Sequence, residues 1–316
     1  MCCTVVFCWI FILFETLPTD TSKARRIIGG RDADETKYQY VVRLRAVIIN
    51  TAKKILGNHH RCTAAILAPT WALTAGHCSE TEDLEALIES ENETFMHIII
   101  YGSLNTLNGS IVLDIIKHPA YKFNSYLLIN DVALIRHSPI TLNQYARLSG
   151  LDYVTMIGQE VTLVGYGTTN GTLTINGTLT HVAIDATKLR KPLQLSDAVL
   201  LQCSEDLKRV LMPGMCLARR CNKLAALCPG DSGGPVLHES GVVGISSIGP
   251  QQVLAFCDLK PYTTFYDPGS VTPTSLYIDW ISSVIKKEVP IYCFLFRYIS
   301  DNLNKRQEAK MRLFDL

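Results

Sequence analysis

The sequence has no excess of charge of either sign. Thirty Lys and Arg residues against 29 Asp and Glu residues leave a formal net charge of +1. A chain with this balance has no overall field that attracts nucleic acid or an anionic membrane surface. We therefore expect no nucleic-acid partner, and other partners must be inferred from local sites.

Long apolar runs are missing as well. An apolar run covers residues 5–14, whereas a helix that spans a bilayer needs about 20 such residues. The run is typical of a secretory signal peptide, assigned here to residues 1–22, although no basic residue precedes it and no clear cleavage site follows. An uncleaved anchor is the alternative. We expect a secreted protein with no membrane span in its mature form.

Metal-binding patterns are also absent. No Cys-x-x-Cys or His-x-x-x-His spacing indicates zinc. The segment 79–93 is rich in acidic residues, but it is more typical of a solvated loop than of a calcium site. We expect no metal and no other cofactor.

Long helical periodicity is missing too, except near the end of the chain. Short runs rich in β-branched residues, separated by turn residues, predict an all-β barrel or sandwich. Residues 275–287 predict one terminal helix with lysines in its last turn. The predicted strands cover residues 40–49, 63–67, 97–101, 110–116, 131–136, 160–164, 235–237 and 242–247.

Cysteine, by contrast, is plentiful. Of 11 cysteines, Cys2, Cys3 and Cys8 lie in the predicted signal peptide, and the remaining even number favours disulfides in an oxidising compartment. Sequons for N-glycosylation begin at Asn92, Asn108, Asn170 and Asn176.

A serine between glycines is the strongest chemical signal. Residues 228–235 read CPGDSGGP, which exposes the Ser232 hydroxyl on a sharply bent backbone. An ordinary glycine turn is the alternative. A hydroxyl becomes a nucleophile only where a base takes its proton, so a histidine and an acid are required.

His77 and Asp131 are the candidates for base and acid. His77 follows an apolar run and precedes Cys78, for which Cys62 is the expected partner across a hairpin. Asp131 opens an apolar strand, where a buried acid needs hydrogen-bond partners. The order Ser, acid, His of an α/β-hydrolase is excluded, because the last histidine, His238, follows Ser232 with no acid between them.

The segment RRIIGG at residues 25–30 suggests an activation site. Cleavage after Arg26 would free the α-amino group of Ile27, and Asp231 beside the candidate nucleophile would receive that ammonium in a buried pair. A basic linker before a first strand is the alternative.

Five blocks of sequence carry a family resemblance. IIGG after Arg26, LTAGHC at 73–78, NDVALI at 130–135, VGYG at 164–167 and GDSGGP at 230–235 resemble the chymotrypsin/trypsin family of secreted serine endopeptidases. The resemblance implies two six-stranded antiparallel β-barrels with the active site between them and a C-terminal helix. It spans about residues 27–288, preceded by a propeptide at 23–26 and followed by an extension of unknown role at 289–316.

The resemblance also implies roles for individual residues. His77 would be the general base and acid, Asp131 would orient it, and Ser232 would be the acylating nucleophile. Backbone N–H groups of Gly230 and Ser232 would form the oxyanion hole. Family pairing implies the disulfides Cys62–Cys78, Cys203–Cys216 and Cys228–Cys257, and leaves Cys221 and Cys293 to pair with each other.

The specificity pocket departs from the family pattern. Ala226 stands where trypsin-like members carry Asp, which disfavours a Lys or Arg side chain in the pocket. Ser247, Ile248 and Gly249 form the expected wall, and the bulky Tyr262 would narrow the pocket. A small or medium apolar residue is the expected preference. A catalytically silent homologue that acts by binding is the alternative function.

Two further features lie near the predicted active site. Gly76 replaces the family's usual alanine beside His77, a loss of one methyl that we expect to be tolerated. A basic loop near the cleft is interpreted as an ordinary exposed loop, with binding of an acidic partner as the alternative; it comprises Lys53, Lys54, His59, His60 and Arg61. Expected partners are protein or peptide substrates, an activating protease and a protein inhibitor, and the protein is expected to be a monomer.

Overall fold

The structure, a computed structural model, describes residues 30–103, 106–124, 127–167, 174–178, 181–185, 192–219, 227–248 and 269–287. In chain order its strands are β1 (Arg31–Asp32), β2 (Val41–Asn50), β3 (Ile55–Ala68), β4 (Trp71–Thr74), β5 (Glu93–Tyr101), β6 (Asn108–Lys117), β7 (Lys122–Asn124), β8 (Leu127–Ile129), β9 (Ala133–His137), β10 (Glu160–Gly165), β11 (Thr174–Thr178), β12 (His181–Asp185), β13 (Gln194–Gln202), β14 (Leu211–Met212), β15 (Met215–Arg219), β16 (Pro235–His238), β17 (Gly241–Ser246) and β18 (Ser270–Pro273). The α-helices are α1 (Glu82–Glu85), α2 (Glu205–Val210) and α3 (Ile278–Lys287).

Six strands close the first barrel, in the order β2-β3-β4-β9-β6-β5. Its longest ladder joins β2 to β3, from Val41 opposite Ala65 to Ile49 opposite Ile55. Every pairing in this barrel is antiparallel. Side chains such as Leu44 and Leu134 fill the interior and are 0% exposed.

A second barrel of six strands follows in the order β13-β10-β16-β17-β18-β15 and closes through pairing of β15 with β13. The short β1 adds to the outer edge of β13. A separate apolar cluster that includes Leu163, Leu200 and Val236 fills this barrel. The two closed barrels confirm the predicted all-β architecture.

The contact between the barrels is apolar. Val164, Tyr166 and Ile245 of the second barrel belong to the same buried cluster as the core of the first. Helix α3 packs on this cluster through Ile281, and Tyr277 just before it is buried as well. The core of the first barrel therefore extends to the facing side of the second barrel and to the terminal helix, and the residues at this junction have fixed positions.

Some details differ from the predictions. Strand β3 begins at Ile55, so His59, His60 and Arg61 lie in a strand, and the prediction of a loop is wrong for these three. The α-helical part of the predicted terminal helix begins later than expected, because residues Ser275–Tyr277 form a 3₁₀ turn before α3; Leu276 in this turn is 52% exposed. Among the helices of the described ranges, none has both the length and the apolar character for a membrane crossing.

Candidate active site

His77 is held in a short turn directly after β4. Strand β4 ends at Thr74, and a 3₁₀ turn, Gly76–Ser79, carries the histidine. The predicted disulfide between Cys62 and Cys78 is present and ties this turn to β3. The imidazole is therefore anchored by the residue that follows it.

Asp131 is positioned by its neighbour Asn130. Asn130 has a φ of 50°, a left-handed conformation that asparagine adopts more readily than most residues. Its side chain donates to the carbonyl of Ala120 at 2.9 Å and accepts the Tyr277 hydroxyl at 3.0 Å. These bonds fix the backbone just before β9, so that the Asp131 carboxylate is directed into the protein, where it is 1% exposed.

The Asp131 carboxylate contacts His77 with both oxygens. Oδ1 accepts the backbone N–H of His77 at 2.8 Å, and Oδ2 lies 2.9 Å from Nδ1 of the ring. Burial by itself lowers the pKa of His77, but the charge and hydrogen bond of Asp131 more than offset it, so the pKa is raised. Burial likewise opposes ionisation of Asp131, but the His77 contacts outweigh it and lower the pKa of the carboxyl.

Ser247 connects Asp131 to Ser232. The Ser247 hydroxyl donates to Oδ2 of Asp131 at 2.5 Å, while its carbonyl accepts the Ser232 hydroxyl at 3.1 Å. The three predicted residues therefore meet at the junction of the two barrels. The Ser232 hydroxyl therefore donates to the Ser247 carbonyl and not to Nε2 of His77. That ring nitrogen instead lies 4.0 Å from Sγ of Cys78.

Two backbone N–H groups beside Ser232 are available to a ligand. The N–H of Asp231 donates to the Cys228 carbonyl and that of Gly233 to the Ser246 carbonyl. Within the described part of the chain, the N–H groups of Gly230 and Ser232 donate no hydrogen bond.

Only glycine fits at position 230. Gly230 has a φ of 90°, and a Cβ there would lie 2.5 Å from Cδ2 of His60. The bend that presents its N–H therefore depends on the missing side chain.

Asp231 is fully buried, at 0% exposure. Its Oδ1 accepts the N–H of Gly167 at 2.8 Å and its Oδ2 accepts the N–H of Cys228 at 2.9 Å. The carboxylate therefore ties the nucleophile loop to the residues that follow β10. The predicted activation residues Arg26 and Ile27 lie outside the described residues.

The predicted pocket wall is described only in part. Ser247 is buried, and Ile248 is 38% exposed and donates its N–H to the Ser270 hydroxyl at 3.2 Å. The remaining predicted pocket residues lie outside the described residues: Ala226, Gly249 and Tyr262.

The disulfide Cys203–Cys216 is present, and Cys228 is disulfide-bonded. The predicted partner Cys257 and the predicted pair Cys221 and Cys293 lie outside the described residues.

One group of potential metal ligands occurs among the described residues, Cys62, His77 and Cys78. Its two sulfurs are bonded to each other, so neither is a thiolate ligand.

Two of the four predicted glycosylation sites lie on the surface of the described structure. Asn92 and Asn108 are exposed. Asn176 lies in β11, and Asn170 lies outside the described residues. An exposed amide side chain meets the first requirement for a glycan.

Two contributors to the site were not predicted. Asn130 has a detectable signal, since it precedes the acid and tolerates a positive φ. Thr63 donates its hydroxyl to the Gly230 carbonyl at 2.8 Å. The sequence gives no signal for this role, because threonine is a common strand residue.

Comparison with known proteins identifies the family. The sequence profile described as Trypsin matches residues 27–281. Dog anionic trypsin is 27% identical over 86% of this chain and 95% of its own length, and the trypsin of the beetle Phaedon cochleariae is 27% identical over 85% and 92%. The solved structure of neuropsin, a serine protease expressed in the limbic system of mouse brain, has a TM-score of 0.55 at 20% identity, covers 82% of this chain and all of its own, and supports the fold. The chain belongs to the trypsin family and is a serine endopeptidase.

Proposed function

We propose that this protein hydrolyses peptide bonds through an acyl-enzyme, with Ser232 as nucleophile, His77 as general base and acid, and Asp131 as the residue that orients His77. The observation that carries the proposal is the link through Ser247. One residue accepts the Ser232 hydroxyl and donates to the Asp131 carboxylate, and the same carboxylate contacts His77 at 2.9 Å. Nucleophile, base and acid therefore belong to one hydrogen-bonded group.

The chemistry follows from this arrangement. With Nδ1 bonded to Asp131, the neutral ring of His77 carries its lone pair on Nε2, which takes the Ser232 proton as Oγ attacks the carbonyl carbon. The negative charge on the carbonyl oxygen faces the N–H groups of Gly230 and Ser232. His77 then passes the proton to the leaving amine, and water releases the acyl group by the same steps. Attack requires the Ser232 hydroxyl to exchange the Ser247 carbonyl for Nε2 of His77.

Activation by cleavage after Arg26 is the second part of the proposal. Asp231 is a fully buried carboxylate, and a buried charge is stable only with compensating partners. The new ammonium of Ile27 would supply a positive charge and hold the Gly230 and Ser232 N–H groups in place. Replacement of Arg26 by Gln should give a precursor that resists activation, and activity equal to that of the cleaved parent would contradict this part.

Substrate preference follows from the missing pocket carboxylate. Relatives carry the name trypsin, but Ala226 offers no charge to a Lys or Arg side chain, and burial of an unpaired cation is costly. We propose a preference for small or medium apolar residues, with Ser247, Ile248 and Gly249 as the wall and Tyr262 as an obstruction. Tetrapeptide nitroanilides that end in Ala, Val, Leu or Arg test this, and fastest cleavage of the Arg substrate would overturn it.

The protein is proposed to be secreted. Residues 1–22 would be removed as a signal peptide, and Asn92 and Asn108 are exposed acceptors for glycans. The mature protein would act as a monomer on protein or peptide substrates, after cleavage by an activating protease and under control of a protein inhibitor.

Labelling of the active serine tests the central claim. The precursor is cleaved after Arg26 and treated with a fluorophosphonate, beside a Ser232→Ala variant prepared in the same way. We expect labelling of the parent alone. Equal labelling of both proteins, or of neither after verified cleavage, would overturn the proposed mechanism; the second result would favour a silent homologue that acts by binding.

A further inference from the structure

Thr63, in β3, is fully buried against the loop that carries Ser232. Its backbone N–H donates to the Ser232 carbonyl at 2.8 Å. Its hydroxyl donates to the Gly230 carbonyl at 2.8 Å and accepts the N–H of Tyr166 at 3.0 Å. One residue of the first barrel therefore holds the two carbonyls on either side of Asp231 and connects them to the end of β10.

These bonds fix the direction of the neighbouring N–H groups. A peptide unit is planar, so a bond to its carbonyl also orients its N–H. The unit between Gly230 and Asp231 is held at both sides, by the Thr63 hydroxyl at the oxygen and by the Cys228 carbonyl at the N–H. Since this unit adjoins Gly230, its orientation restricts the rotation of the Gly230 N–H, which is one of the two free donors beside Ser232.

We propose that Thr63 is a positioning residue of the oxyanion hole. Its hydroxyl holds the Gly230 carbonyl, so that the Gly230 N–H faces the developing negative charge before substrate arrives. The inference rests on the proposed function, because it assigns a role in the same site. Without the hydroxyl, the buried Gly230 carbonyl and Tyr166 N–H both lose a partner, and the loop is free to adopt other orientations.

The test compares Thr63→Val, which removes the hydroxyl at constant shape, with Thr63→Ser, which keeps it. Each protein is cleaved after Arg26 and assayed on the nitroanilide that the parent cleaves fastest. We expect Thr63→Val to lower kcat by about 10- to 100-fold with KM within about threefold of the parent. Thr63→Ser should restore kcat to within about threefold of the parent.

Inhibition by the matching peptide aldehyde gives a second readout, because its hemiacetal oxygen occupies the oxyanion hole. The inhibition constant for Thr63→Val should rise in parallel with the loss of kcat. Thr63→Ala serves in the same assays if the valine variant does not fold.

Thr274→Val is the matched control. Thr274 is also fully buried and donates to a backbone carbonyl, that of Val242, at 2.9 Å. It should lose thermal stability as Thr63→Val does and keep the parent kcat. A parent-like kcat in Thr63→Val, or an equal loss in Thr63→Ser or Thr274→Val, would overturn the role of Thr63. A parent without Ser232-dependent turnover would instead overturn the proposed function, and this inference with it.

Discussion

Asp131 binds His77 at two points, the backbone N–H at 2.8 Å and Nδ1 of the ring at 2.9 Å. The first contact fixes the turn that carries the histidine, and the second fixes the ring. Because Oδ2 is an acceptor, Nδ1 carries the proton in the neutral ring and Nε2 remains available for proton transfer.

Asp131→Asn tests this pair through the pH dependence. The carboxylate raises the pKa of His77 above its ordinary value of about 6.5, and the base must be neutral, so kcat/KM of the parent should rise with pH through that raised pKa. Asparagine removes the charge and can donate to Nδ1, which favours the wrong tautomer. We expect kcat to fall by about 10⁴-fold and the acid limb to move to lower pH.

Asp114→Asn is the control for charge removal, since Asp114 is exposed on β6. It should leave both the rate and the acid limb at their parent values. A shift of the acid limb to higher pH in Asp131→Asn, or retention of about one tenth of the parent kcat, would contradict the assigned pair.

Gly76→Ala should be destabilising. In the structure a Cβ added at Gly76 would lie 2.7 Å from the ring of Tyr121 and 3.3 Å from Oδ1 of Asp131. The space of the methyl is taken by the tyrosine, so overpacking should cost about 1–3 kcal/mol and lower kcat several-fold as Asp131 is displaced. Thermal unfolding and kcat are the measurements.

Gly150→Ala is the matched control for that exchange. Among the described residues, no atom outside its immediate chain neighbours lies within 4 Å of a Cβ at Gly150, so this variant should keep the parent stability or gain slightly. Equal behaviour of the two alanine variants would show that Tyr121 yields without cost.

The Cys62–Cys78 disulfide should support activity as well as stability. Replacement of both cysteines by alanine opens a cross-link with a sequence separation of 16 and should cost about 3 kcal/mol. It also releases the turn of His77, so kcat should fall beyond what stability explains.

The disulfide Cys203–Cys216 provides the comparison, with a similar separation of 13. Its removal should lower the unfolding temperature by a similar amount and spare kcat, because it joins β15 to the end of β13, away from the His77 turn. Equal loss of kcat in the two double variants would contradict an anchoring role for Cys78.

The sequence motifs identified the three candidate catalytic residues but not the residues that hold them in position. His77, Asp131 and Ser232 were predicted because acyl transfer requires a base, an acid and a nucleophile, and the structure brings them together through Ser247. The contacts of Thr63 were not predicted, because the partners of a hydroxyl depend on which strand ends approach each other in the fold. The same holds for the ring of Tyr121, which fills the space beside Gly76 from a distant part of the chain.

The faces of the strands were also only partly predictable. In β2 the arginines Arg43 and Arg45 alternate with Val42 and Leu44, a pattern typical of a strand with one solvated face. Both arginines are nevertheless buried, at 2% and 9% exposure, and Arg43 lies against the ring of Tyr166, which directly follows β10 of the second barrel. A period of two in a sequence identifies the two faces of a strand and does not reveal that a second barrel covers the outer one.

Arg43→Met should stabilise the protein. The Arg43 guanidinium lies 3.7 Å from the ring centroid of Tyr166, and within the described part of the chain its two terminal nitrogens make no hydrogen bond. Burial lowers its pKa, and Tyr166 and Glu35 offset this only in part. A well-packed methionine removes the buried charge, so the free energy of unfolding should rise by about 1–4 kcal/mol, measured by denaturant unfolding.

Arg45→Met supplies the contrast on the same strand. Arg45 is buried as well, but its Nε donates to Oδ1 of Asn58 at 2.8 Å, and its Nη2 donates to the same oxygen. The methionine variant leaves the Asn58 amide oxygen without these donors and should lower the free energy of unfolding by about 1–3 kcal/mol. Opposite signs for the two exchanges would show that hydrogen bonding, and not burial of an arginine as such, determines the contribution. A loss of stability in Arg43→Met equal to that in Arg45→Met would show instead that stacking on Tyr166 compensates the buried charge.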